Sequence, residues 1–269
     1  MNEKTLRLGL IGKDVSKSVS GDIHAFILGA WGYACEYETL SVKKEDFDSA
    51  ITYLLGDFDG FNVTIPFKRD VMAYLDEVTG DAFSCGAVNT VSCATRQGFN
   101  TDGVGFLLML RLAGVEVQGK KVFVLGAGGA GRSVAAALKN AGATVFVYRR
   151  NKEKLTELCN ELGVQAVENP ESGGYEMIIN CTGVGMHGTV GVSPVGTQAF
   201  AGAKWAVDLI YEPKQSEFLR IADGLGISTL NGEAILFYQA YYADCIYLEK
   251  EPSVSEAETL YRKWTEVQK

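Results

Sequence analysis

The chain has 269 residues, 47% of them apolar and 22% charged, with a formal net charge of −8. That length supports one large or two medium domains with a real core, and the negative balance without a long basic run argues against nucleic acid or an anionic membrane surface as a partner. No apolar run approaches the roughly 20 residues that span a bilayer, and the six scattered cysteines, with no Cys-x-x-Cys pair, fit a cytoplasmic protein without structural metal.

The opening residues run directly into a first strand, Arg7 to Ile11, with no signal-peptide core. A polar loop follows, in which Ser18 and Ser20 flank Val19 and Lys17 adds positive charge. Two hydroxyls two residues apart can lean towards one anion, although solvated serines at a helix cap are the plainer reading. A helix is expected from Asp22 to Trp31, a strand from Tyr37 to Leu40 and a helix from Glu45 to Leu55. His24 reads as a structural helix residue and His187 as a loop residue.

Phe61 to Ile65 has strand character and Pro66 stops it. Asn62 and Thr64 then share one face by the two-residue period, and Lys68 begins a helix that runs over Val71 to Glu77. A lysine just past a strand end, beside two neutral hydrogen-bonding side chains, suits proton transfer or the holding of an oxyanion. A solvated surface lysine is the bland alternative. Asn89 opens a further strand out of a tight turn at Cys85-Gly86. Asn100-Thr-Asp-Gly103 reads as a turn or helix cap, with capping the default role for Asp102. A helix from Val104 to about Leu112 leads into the middle of the chain.

There, Lys121 to Leu125 is a short apolar run suited to a strand buried on both faces. Gly126-Ala127-Gly128-Gly129-Ala130-Gly131 then gives G-x-G-x-x-G, and Ser133 to Leu138 continues with helix formers. Gly126 permits a tight turn, Gly128 removes the Cβ that would block a pyrophosphate, and Gly131 lets helix and strand pack closely. A second strand, Ala143 to Tyr148, completes a βαβ unit. The acidic residue expected about 20 positions on, which would hold a ribose 2′-hydroxyl, is absent. Arg149 and Arg150 stand there instead, a pairing that suits the 2′-phosphate of NADP. A solvated basic loop opening the next helix is the competing reading.

Beyond it, a helix from Lys152 to Leu162, strands Met177 to Asn180 and Trp205 to Val207, a helix from Phe218 to Leu225 and a strand from Ile227 to Leu230 complete a doubly wound pattern. The loops after Asn180 and at Asp208-Leu-Ile-Tyr211 lie at strand carboxyl ends, where ligands bind in such sheets. Ala234 to Leu248 reads as a long amphipathic helix. The capping box Ser253-Val-Ser-Glu256 opens a last one. These two helices are expected to return to the N-terminal half and aim Gln239 at the inter-domain cleft.

Together these segments resemble the shikimate dehydrogenases. Ser18-Val-Ser20, Asn62-Val-Thr-Ile-Pro-Phe-Lys68, Gly86-Ala-Val-Asn-Thr90, Asn100-Thr-Asp-Gly103 and the glycine loop with Arg149 occur in the family's order and cover nearly the whole chain. The resemblance implies an α/β protein of two domains. One is an N-terminal α/β substrate domain, residues 1–103 with C-terminal helices 233–269 returning to it. The other is a Rossmann-type doubly wound NADP-binding domain, residues 104–232. It implies NADP-dependent reduction of 3-dehydroshikimate to shikimate, in aromatic amino-acid biosynthesis. Lys68 and Asp102 would be catalytic, with Lys68 exchanging the proton and Asp102 orienting it or sharing the proton. Ser18 and Ser20 would bind the carboxylate, and Thr64, Asn89, Asp102, Tyr211 and Gln239 the hydroxyls. NADP would contact Gly126 to Gly131, Arg149, Arg150, Leu209 and Gly232. No metal is required, and the partner is a small molecule met by a monomer or homodimer.

Three departures stand out: Asp14, Lys17 and Gly21 around the serine pair, Tyr148-Arg149-Arg150 in the cofactor stretch, and Asn231-Gly-Glu-Ala234 late in the chain. They leave open a quinate/shikimate dehydrogenase using NAD or both cofactors. A reductase of a folate or tRNA-linked substrate is disfavoured by the Asn62–Lys68 segment. A catalytically silent nicotinamide-sensing module is a reading of another class, and the presence of both Lys68 and Asp102 speaks against it.

Overall fold

The computed structural model describes residues 4–268. The chain divides into two compact units, Met1–Leu108 with Leu236–Lys269, and Met109–Ile235. In the first unit, β1 (Thr5–Gly12), β2 (Ala34–Ser41), β3 (Gly60–Val63), β4 (Glu77–Val78), β5 (Thr90–Ser92) and β6 (Gln97–Phe99) form a sheet in the order β2-β1-β3-β5-β6-β4. β1 pairs in parallel with β2 and β3, while β5 runs antiparallel to β3 and β6. Leu8, Leu10 and Ile11 of β1 are all buried, as a strand covered on both faces requires.

On this sheet lie α1 (Ser20–Ala30), α2 (Phe47–Asp57), the short α3 (Gly80–Cys85), and the start of α4 (Asp102–Leu112). One core layer is built from α2 and the turn after β3: Phe47 stacks on Phe67 at 4.3 Å, among Ile51, Leu54, Phe61 and Val91. The C-terminal helices α8 (Glu233–Tyr247) and α9 (Val254–Val267) supply the other layer, α8 from Leu236 onward. Phe26 of α1 meets Trp264 edge-on at 5.3 Å, and Trp31 meets Tyr241 at 5.6 Å. The return of these helices to the N-terminal half is thus set by aromatic packing.

Ser253 accepts a hydrogen bond from Glu256 N at the start of α9, one arm of the expected capping box. The reciprocal arm is replaced. Ser253 N donates to Tyr241 Oη at 2.8 Å, and the Glu256 carboxylate is taken by Tyr241, Trp31 and Lys250.

Two further local expectations differ from the structure. The segment after Lys68 is a turn followed by a 3-10 helix, Asp70–Tyr74, and not an α-helix reaching Glu77. The Lys68 carbonyl is occupied by Val88 N at 2.7 Å, and Asp76 N donates to Arg96 O, so the ladder of a longer helix is pre-empted by sheet contacts. β3 ends at Val63 because Thr64 N turns to Ile11 O and Phe67 N closes onto Thr64 O.

In the second unit, β7 (Lys121–Leu125), β8 (Thr144–Tyr148), β9 (Gln165–Ala166), β10 (Met177–Asn180), β11 (Trp205–Asp208) and β12 (Ser228–Leu230) pair entirely in parallel, in the order β12-β11-β10-β7-β8-β9. α5 (Gly129–Asn140), α6 (Lys152–Leu162) and α7 (Glu217–Gly224) complete the doubly wound arrangement. The order reverses between β7 and β10, and such a switch point opens a crevice at the strand carboxyl ends. Among the described residues no helix is long and apolar enough to cross a membrane.

Candidate active site

In the first unit, five polar side chains from four segments converge. Lys68, in the turn after β3, donates to Asp102 Oδ2 at 2.5 Å, and both side chains are largely buried. Asn89, just before β5, donates through Nδ2 to Asp102 Oδ1 at 2.8 Å and to Thr101 Oγ1 at 2.9 Å, while its Oδ1 accepts from Thr101 N at 2.8 Å. Gln239 of α8 brings Oε1 within 3.4 Å of the same Asn89 amide. Its approach depends on Gly105 of α4, where a Cβ would stand 2.8 Å from Gln239 N.

Asp102 opens α4 and is itself fixed from behind, its N–H bonded to Asn100 Oδ1. Each carboxylate oxygen of Asp102 therefore has its own donor, and the Lys68 ammonium is held by a charge-assisted bond of the stronger class. The cluster can hold a polar ligand and exchange a proton with it.

Ser18 and Ser20 sit at the entrance to α1, Ser18 Oγ donating to Ser20 Oγ at 3.0 Å. Their loop runs close to the turn that carries Thr64 and Lys68: Lys13 N donates to Ile65 O, and a Cβ on Gly12 would lie 2.4 Å from the Thr64 methyl. Two residues outside the predicted set link the serines to the cluster. Tyr37 of β2 donates through its hydroxyl to Asn62 Oδ1 at 3.1 Å, and Asn62 Nδ2 reaches both Asn89 O and Thr90 Oγ1 at 3.3 Å. Burial pushes the Tyr37 phenol well above its ordinary value, reinforced by Asp244, with a side-chain hydrogen bond from Ser20 opposing. Asn62 was legible as the face-mate of Thr64, whereas Tyr37 carries no local signal. Its place follows only from the parallel pairing of β1 with β2 and with β3.

Behind Tyr37, His24 Nδ1 and Asp244 Oδ1 lie 2.6 Å apart, both fully buried. Burial raises the Asp244 carboxyl above its usual range against the pull of His24. His24 Nε2, Asp244 Oδ2 and Tyr247 Oη have no hydrogen-bond partner among the described residues, each at a cost of about 1–3 kcal/mol.

In the second unit the glycine loop is shaped by close approach. Gly126 has φ +94°, and a Cβ on Gly131 would lie 2.2 Å from Gly126 O, so only glycine lets α5 start this near β7. A Cβ on Gly128 would meet no protein atom within 4 Å. Gly128 is also the N-cap of α5, which no side chain caps. The start of this twelve-residue helix thus carries no side-chain cap beside the space left at Gly128, an arrangement suited to phosphate. Arg149, at the end of β8, is half-buried and donates to Ala127 O at 3.2 Å, and Arg150 beside it is exposed.

Beyond β11, Leu209 and Gly232 touch through the backbone: a Cβ on Gly232 would stand 2.0 Å from Leu209 O. Tyr211 follows in the same loop, partly exposed. The loop is anchored by the buried carboxylate of Asp208, which accepts from Asn180 Nδ2, from Ile210 N at 3.0 Å and from Ser216 Oγ at 2.5 Å. Burial raises the Asp208 carboxyl, with Ser216, Ile210 and Asn180 pulling it back. Ser216 also caps α7.

Comparison with known proteins agrees with both halves. The shikimate dehydrogenase substrate binding domain matches residues 10–91, and the shikimate / quinate 5-dehydrogenase family matches residues 109–184. The first range holds Ser18, Ser20, Thr64, Lys68 and Asn89, and the second the glycine loop and both arginines. Shikimate dehydrogenase (NADP(+)) of Thermus thermophilus is 35% identical over 96% of this chain and 98% of its own. The enzyme of the same name from Caldanaerobacter subterraneus is 37% identical over 90% and 91%. The crystal structure of shikimate 5-dehydrogenase from Thermus thermophilus, in complex with NADP(H) and shikimate, superposes with a TM-score of 0.87 over 96% of this chain and 99% of that one. On sequence, fold and the residues brought together in each unit, the chain belongs to the shikimate dehydrogenase family.

Proposed function

We propose that the chain interconverts 3-dehydroshikimate and shikimate with NADP as its redox partner. The observation that carries this reading is the Lys68–Asp102 pair, 2.5 Å apart and braced by Asn89. The second unit fits the cofactor: Gly128 leaves room at an uncapped helix start, and Arg149 and Arg150 occupy the position where a carboxylate would repel a 2′-phosphate. Gly126, Ala127, Gly128, Gly129, Ala130 and Gly131 would hold the pyrophosphate, the two arginines the 2′-phosphate, and Leu209 and Gly232 the remainder.

When bound, NADPH supplies the hydride that ends on the carbonyl carbon. Lys68 Nζ gives a proton to the carbonyl oxygen as negative charge builds on it, and takes that proton back in the reverse direction. Asp102 keeps the ammonium aimed at that oxygen, or shares its proton. Ser18 and Ser20 offer neutral donors to the ring carboxylate, and Thr64, Asn89, Asp102, Gln239 and Tyr211 bind the hydroxyls. A small-molecule substrate, a monomer or homodimer and a cytoplasmic setting complete the proposal, in keeping with a net charge of −8 and six scattered cysteines.

The test is reduced-nicotinamide absorbance with shikimate or quinate, each paired with NADP or NAD. The expected result is shikimate with NADP well ahead of the other three pairings, and Arg149→Ala raising the KM for NADP about tenfold or more while leaving NAD unaffected. Quinate turnover with NAD would overturn the specificity. Cofactor binding without any turnover would move the chain to the sensing class.

A further inference from the structure

The proposed chemistry makes no use of the fully buried His24–Asp244 pair, which joins α1 to α8 across 220 positions of sequence. As a stabilising device it is poor: it is buried polar on both sides, and three polar atoms in and beside it lack partners among the described residues. Apolar side chains of similar size commonly serve stability as well or better in such places. What the hydrogen bond does accomplish is to fix the plane of the imidazole. Tyr37 lies stacked on that plane at 5.0 Å with 17° between the rings. One turn earlier on α1, Gly21 presents no side chain, and a Cβ there would press the same tyrosine ring at 3.2 Å. The Tyr37 ring is thus seated against a flat wall made by Gly21 and His24. From that seat its hydroxyl reaches Asn62, and its ring lies against Gly21, the residue next to Ser20.

We propose that His24 and Asp244 are positioning residues, which hold the Tyr37 ring and through it orient Ser20 and Asn62 for the carboxylate end of the substrate. The inference rests on the substrate reading given above, and wild-type turnover of shikimate tests that reading separately.

Replacing both partners, His24→Leu with Asp244→Leu, removes the polar burden along with the anchor. Thermal stability is expected to hold, while the KM for shikimate rises about tenfold and kcat changes less than twofold. Asp244→Asn keeps an oxygen for the imidazole N–H and is expected to restore a KM near wild type. Tyr37→Phe raises KM alone, and adding the leucine pair to it should add less than a further twofold, because the route to Ser20 and Asn62 is already cut. An unchanged KM in the folded double variant, or effects that multiply on Tyr37→Phe, would overturn the proposal. Should the leucine pair not fold, His24→Gln decides, since it keeps a donor for Asp244 but loses the ring: KM should rise, and an unchanged KM overturns the proposal. The stack has a reading free of substrate as well. The Tyr37 ring-proton resonances, shifted by the imidazole face, should move in His24→Gln, and resonances that stay put would sink the idea even if the chain proved to have another substrate.

Discussion

The two candidate sites are built by opposite means. In the first unit the site consists of functional groups: Lys68, Asn89, Thr101, Asp102 and Gln239 satisfy one another across elements up to 150 positions apart. In the second unit it consists of side chains left out, with Gly126, Gly128 and Gly131 lying within six residues and working through bare backbone. The first kind of site fails when an atom is removed. The glycine loop of the second fails when an atom is added.

The largest expected effect breaks the first site. Lys68→Ala removes the proton carrier and should lower kcat about 10²- to 10⁴-fold, the usual worth of a positioned acid or base, with a smaller change in KM. A kcat within tenfold of wild type in steady-state assays would take the lysine out of the chemistry.

Next come two alanines that separate crowding from ligand space within the second site. Gly131→Ala forces a Cβ against Gly126 O at 2.2 Å, so α5 must shift. A fall in Tm of several degrees is expected with loss of NADP affinity. Gly128→Ala meets no protein atom and its backbone suits alanine, so Tm should stay put while the Kd for NADP weakens about tenfold or more. Equal losses of Tm in the two variants, measured by calorimetry, would erase the distinction.

The smallest effect concerns Asp208, a side-chain anchor inside the backbone-built site. Its folded pKa is raised by burial. As pH climbs past the ordinary carboxylate value of 3.8, the unfolded chain ionises first, so stability drawn from the protonated folded form is lost until the folded group ionises too. The stability advantage of wild type over Asp208→Asn should therefore be greatest at acid pH and narrow as pH rises through that window. Denaturant melts at a series of pH values check this, and an advantage that widens with pH would show the carboxyl to be lowered instead.

Much of this was legible in the sequence because it is local. The 121–125 apolar run, the glycine spacing and the arginine pair each act within a few residues, and the structure builds β7, α5 and the end of β8 from them. The lysine after Pro66 and the aspartate at the start of α4 were legible as motif positions. Three features were not. The helix expected after Lys68 is replaced by a turn and a 3-10 helix because Val88, from a distant segment, takes the Lys68 carbonyl. The reciprocal arm of the α9 capping box is displaced by Tyr241, which offers Ser253 N a better-placed acceptor. Tyr37 entered the site network only because β2 lies beside β1 and β1 beside β3.

Sequence by itself determined the parallel βαβ core of the second unit and the chemical types available for catalysis, since strand periodicity, glycine turns and residue identity are short-range properties. Tertiary structure alone decided which distant side chains share a proton and which buried group stands behind which ring. Lys68 meets Asp102, Gln239 meets Asn89 and Asp244 meets His24 through hydrogen bonds a few ångströms long between residues 34 to 220 positions apart. Contacts of that reach exist only once sheet order and helix packing have brought the segments together.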